Sequence, residues 1–108
     1  MKTETMTYIG SFTVDSGQAM VGDPCYLDDW QPWNSEEHNF DEHETKAGEY
    51  GYLGACGVTL KEGYGMLGNG SAVAFTTGYG DGVYPVYADF NEDGRIVKVT
   101  IVFEEDEE

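Results

Sequence analysis

Residues 78–103 constrain this chain most. Two stretches rich in Val, Ile, Phe and Tyr, residues 83–90 and 96–103, are joined by Asn91-Glu92-Asp93-Gly94. β-Branched and aromatic side chains suit a pleated, half-buried surface. A polar link ending in Gly suits a type I turn closed by a left-handed residue. The pattern predicts an antiparallel hairpin in which Asn91 pairs with Arg95, Phe90 with Ile96, Tyr87 with Val99, Pro85 with Ile101 and Val83 with Phe103. One face then gathers Val83, Pro85, Tyr87, Val97, Val99, Ile101 and Phe103 and is expected in the core. The opposite face mixes Tyr84, Val86, Phe90, Ile96 and Val102 with Lys98 and Thr100, and partial cover is expected. Pro85 cannot donate to a ladder, so its strand is expected to lie at an edge or to bulge.

The rest of the chain reads mostly as strands and tight turns, with fifteen glycines and only three prolines. Residues 8–14 predict a first strand, Asp15-Ser16-Gly17 a turn, and residues 18–21 a short return strand. Pro24 at a first helical position behind Asp23 predicts one capped helical turn from Cys25 to Trp30. Ser35 can cap another short helix through His38. Beyond it the segment to residue 49 is polar, a long acidic excursion or a functional lid, anchored by Trp30, Trp33 and Phe40. Residues 50–60 read as a strand loosened by three glycines. Asn69-Gly70 signals a hairpin, and residues 71–77 a strand with Val73, Phe75 and Thr77 on one face.

Charge narrows the functions. The 108 residues carry 21 acidic and 5 basic side chains, a formal charge of -16. Eight acids lie between residues 28 and 49, offset only by Lys46, and five more form the terminal run 104–108, expected to be a disordered solvated tail. With so few Lys and Arg to displace counterions, direct nucleic-acid binding is not expected. An acidic mimic of nucleic acid that occupies a basic partner stays open as an alternative. No apolar run reaches the length of a signal peptide or of the ~20-residue membrane span, so a cytoplasmic location is expected, with Cys25 and Cys56 reduced and mostly buried.

Val14-Asp15-Ser16-Gly17-Gln18, Asp23-Pro24-Cys25-Tyr26-Leu27 and Gly80-Asp81-Gly82-Val83-Tyr84-Pro85-Val86-Tyr87, followed by Asp93-Gly94-Arg95-Ile96, resemble a family of uncharacterised bacterial and phage proteins, a domain of unknown function. The likeness touches both ends of the chain, about a third of it, and leaves residues 28–49 unmatched. It implies a fold neighbourhood and a bacterial or phage origin, and no reaction.

Candidate chemistry is sparse. Asp89, Asn91 and Asp93 have the opening spacing of a calcium loop, but Thr100 stands at the twelfth position, where a bidentate carboxylate is needed. The hairpin turn explains the same residues, so no metal is expected beyond weak calcium binding. Gly78-Tyr79-Gly80-Asp81-Gly82 lacks the Lys-Ser/Thr continuation of a phosphate-binding loop; a tight turn is expected, with Asp81 bonded to backbone N–H groups. His38 and His43 stand five apart, off the helical neighbour spacing a zinc site would use. Cys25 is the one candidate nucleophile with a context, and His38 or His43 would have to serve as its base.

These readings converge on one all-β domain over residues 1–103, a small sandwich or curved barrel-like antiparallel sheet of about six strands. A non-enzymatic protein-interaction module without cofactor or membrane attachment is favoured. Its contact candidates are Asp23, Cys25, Tyr26, Trp30, Trp33, Tyr79, Asp81 and Tyr84. A small enzyme or ligand-binding domain, with a pocket between the Asp23–Cys25 and Gly80–Gly82 segments, is the alternative.

Overall fold

The computed structural model describes residues 4–33 and 39–104. Among them the protein is mostly β, with six strands in two three-stranded antiparallel sheets, neither closed into a barrel. The chain forms two compact units, one from Met1–Gly17 with Thr77–Glu108 and the other from Gln18–Thr76. The Ser35 cap and most of the acidic tail lie outside the described residues.

In the first unit, β1 (Glu4–Val14) and β6 (Ile96–Ile101) flank β5 (Gly82–Phe90). The predicted turn forms: Asn91 Oδ1 accepts from Asp93 N at 2.9 Å and Arg95 N at 3.0 Å, and Gly94 has φ 79°. Phe90 faces Ile96 as expected, but a one-residue irregularity follows, and Asp89 meets Lys98, Ala88 meets Val99 and Val86 meets Ile101. The slip pairs Val99 with Ala88 instead of Tyr87. The expected core face is also corrected: Val99 is 53% exposed, Val83 and Val97 are exposed, and the fully buried residue of the hairpin is Ala88. Val14 is buried at the far end of the sheet, and between them Phe12, Tyr84 and Phe103 stack, with Tyr84 ring centroids 6.4 Å from Phe12 and 5.0 Å from Phe103. Pro85 is not on an edge strand but on the central one. Its carbonyl accepts from Val102 at 3.4 Å, just past the last β5–β6 pair, so its missing N–H points where the ladder has already ended.

In the second unit, β2 (Gln18–Gly22) is not the return strand of β1. It pairs with β4 (Ala72–Thr76), which pairs in turn with β3 (Tyr64–Leu67) through the Asn69-Gly70 hairpin. The predicted helical turn is present as a 3-10 helix over Pro24–Asp29, with Asp23 Oδ1 accepting from Cys25 N at 3.0 Å. Part of the acidic segment is structured as well. A 3-10 turn, Phe40–Glu42, capped reciprocally by Asn39 and Glu42, leads into α1 (His43–Lys46).

The largest departure is α2 (Tyr52–Lys61), where a loosened strand was expected. Gly54 and Gly57 are spaced as neighbours on one helical face, and the preceding chain crosses there. A Cβ on Gly54 would strike the backbone of Glu49, and one on Gly57 would strike His43 and Ala47. The glycines thus permit close approach rather than bulging a strand. Gly63 (φ 91°) ends the helix, donating to the Thr59 carbonyl at 3.0 Å. The other side of α2 packs on the sheet, burying Ala55 with Leu67, Ala72, Ala74 and Tyr50, with Val58 against Gly65. In β4 the alanine face is therefore the covered one, because small side chains let the helix lie close.

Candidate functional site

The first unit carries an open groove of about 1160 Å³. Alternation along β5 brings Val83, Pro85 and Tyr87 to one face of the sheet as its floor. The 77–82 loop supplies Tyr79 and Asp81, and the chain leaving β6 supplies Val102, Phe103 and Glu104. Met6 closes the side from a bulge in β1. Its φ of 52° is left-handed, and its N–H donates to Asp89 Oδ1 at 2.7 Å.

The loop is held from within. Thr77, fully buried, and Tyr84 each donate a hydroxyl to the Gly80 carbonyl at 2.7 Å. This corrects the expected role of Asp81, which is exposed and does not supply the bonds that close the loop. A carbonyl with two acceptor lone pairs, both used, fixes Gly80 firmly. Tyr79 stands on this closed turn at 76% exposure. Asp81 and Glu104 give the lining two carboxylates, and none of the described lining residues is basic.

The remaining sequence candidates divide. Tyr84 is a groove residue and also the loop's anchor. Asp23 is engaged as a cap, while Cys25 and Tyr26 are exposed on the same 3-10 turn. Cys25 thus departs from the expected burial, whereas Cys56 follows it. Trp30 packs edge-on against Tyr50 at 5.1 Å, beside the core of the second unit. Trp33 stacks between Phe40 and Tyr52, and Phe40 in turn touches the His43 ring at 4.8 Å. Asp23–Cys25 and Gly80–Gly82 belong to different units. His38 lies outside the described residues. Of the calcium-spaced trio, Asp89 accepts from Met6 and Asn91 from two turn amides.

Sequence reasoning missed a polar network in the second unit. Gln18 Nε2 donates to Cys56 Sγ at 3.3 Å, and Thr59 Oγ1 donates to Gln18 Oε1 at 3.0 Å. Burial, then a hydrogen bond to Cys56, push the Tyr52 phenol above its ordinary value. Tyr52 and Cys56 stand one helical turn apart, a signal legible only if residues 52–61 are read as helix.

The described residues form a small, mostly β fold of two three-stranded sheets, in a strongly acidic chain. The chain belongs to the DUF4241 family, a protein of unknown function, whose match covers residues 4–101. Neither a curated protein nor a solved structure matches it. No helix among the described residues is long and apolar enough to cross a membrane.

Proposed function

We propose that this protein is a non-enzymatic interaction module whose groove takes an extended, basic segment of a protein partner. The observation that carries the reading is Tyr79, held out on a doubly bonded loop beside Asp81, in a groove that Glu104 also lines. Exposed aromatic faces attract ammonium and guanidinium groups by roughly 0.5–2 kcal/mol, and tyrosine is enriched among the residues that dominate binding energy. The charge of -16 steers cations toward such a site.

Chemical-shift titration with a Lys-rich peptide of alternating apolar residues tests this. Shifts should centre on Tyr79, Tyr87 and Val102, and Tyr79→Ala should weaken binding about tenfold, equal to about 1.4 kcal/mol. Shifts spread over all acidic surfaces and indifferent to Tyr79→Ala would replace this reading with the acidic mimic, in which charge alone captures the partner. The ligand-binding alternative keeps the same groove, and tetramethylammonium as the probe would then reproduce the shifts without any peptide.

A further inference from the structure

Aromatic rings make up much of the wall of the first unit's groove: Tyr79, Tyr84, Tyr87 and Phe103 all line it. Phe103 stands edge-on to Tyr84, ring centroids 5.0 Å apart and planes at 82°, so the two form a corner rather than a flat wall. Tyr79 is tied to that corner through its own loop, because the Tyr84 hydroxyl holds the Gly80 carbonyl at 2.7 Å. That carbonyl also takes the Thr77 hydroxyl, so both of its lone pairs are engaged. The charged groups of the described lining are Asp81 and Glu104, both exposed and both acidic. The floor runs on beyond the corner, with Val83, Pro85 and Tyr87 at alternate positions of β5, roughly 7 Å per step.

We propose that, granted the peptide-binding role above, the cation this groove selects is a quaternary ammonium, a trimethylated lysine on an extended partner segment. A lysine ammonium is compact and strongly hydrated, and each of its three N–H donors needs an acceptor once water is shed. The Gly80 carbonyl is already saturated, and the two carboxylates lie at exposed positions where water competes for them. A trimethylammonium carries the same charge, has no N–H donor to leave unpaired, and packs its methyl groups on ring faces, which is why aromatic-lined sites favour it. Asp81 and Glu104 attract either cation, and the rings tell the two apart. The shape of the groove points to a chain, not a lone headgroup. Its volume of about 1160 Å³ exceeds the ~300–1,000 Å³ of ordinary small-ligand pockets, and its alternating floor suits the side-chain alternation of an extended strand.

Calorimetric titration of the full chain compares the Lys-rich peptide of alternating apolar residues with the same peptide trimethylated at its central lysine. The trimethylated form should bind about tenfold tighter. A third peptide, with the uncharged tert-butyl isostere at that position, should bind no tighter than the lysine form, because the attraction requires the charge. Tyr79→Leu, at an exposed position and with its fold checked by circular dichroism, should bring the lysine and trimethyl-lysine affinities close together. Asp81→Asn should weaken both peptides alike. Equal affinity of the two peptides for wild type overturns the trimethyl-lysine assignment and leaves the peptide groove standing, whereas no binding of either removes both. A full preference that survives Tyr79→Leu overturns the assignment, as does choline binding as tightly as the trimethylated peptide.

Discussion

Gly54 and Gly57 show two effects of one side chain opposing each other. Replacing a helical Gly by Ala gains about 1 kcal/mol in propensity. Here the added methyl meets backbone, not a flexible side-chain end, and overpacking costs about 1–3 kcal/mol or more. The clash wins, so Gly57→Ala is expected to lower stability in urea melts by about 2 kcal/mol. Gly94→Ala has open space around its Cβ and only the left-handed φ against it, so about 1 kcal/mol is expected there. A Gly57→Ala variant more stable than wild type would show that the chain does not cross α2 at that point. Tyr52 supplies a second test at this scale. Its phenol is raised from the ordinary 10.0, so the folded chain holds a proton that the unfolded chain has begun to release. That contribution is fully present below pH 10 and is lost as pH rises through the folded value. Denaturation between pH 9 and 11 should show wild type losing stability more steeply than Tyr52→Phe. Parallel slopes would mean that neither burial nor Cys56 raises the phenol.

At the scale of elements, the irregularity after Phe90 reassigns the energetics of β6. Val99 is half exposed, and substitutions at such positions shift stability by about 0.5 kcal/mol. Leu67 is fully buried beneath α2, and Leu67→Ala is expected to cost about 2–5 kcal/mol through the cavity it leaves. Equal costs at the two sites would mean that Val99 is covered rather than half exposed. The turn itself was legible because Asn91, Asp93 and Gly94 satisfy local hydrogen bonds with one another. The irregularity was not, because it depends on how β6 meets β5 beyond the turn. The same distinction holds for α2: glycines at 51, 54 and 57 look alike in a string, and only the segment crossing Gly54 and Gly57 separates a crowded helix from a bulged strand.

For the whole molecule, charge is the governing term. Removing the five terminal acids, residues 104–108, takes away like charges from a chain at -16. Thermal melts at 10 mM NaCl are expected to show an unchanged or slightly raised midpoint, converging with wild type near 500 mM as screening takes over. Binding of the Lys-rich peptide should fall, because Glu104 lines the groove. A lowered midpoint at all salts would mean that the tail packs against the fold instead of repelling it.

Local hydrogen bonding and two-residue alternation were enough to reveal the 91–94 turn, the Asp23 cap, the Asn69-Gly70 hairpin, and a mostly β chain. The Gly78–Gly82 turn and the exposure of Tyr79 were partly readable, since glycines there permit no other large side chain to dominate. Which strand pairs with which, that β2 leaves β1 for β4, and that Thr77 and Tyr84 converge on the Gly80 carbonyl were decided by tertiary structure. So was the groove floor of Val83, Pro85 and Tyr87. Strand periodicity says only that side chains alternate. Which of the two faces is covered depends on helices and chain segments distant in sequence, and on the small residues that let them approach.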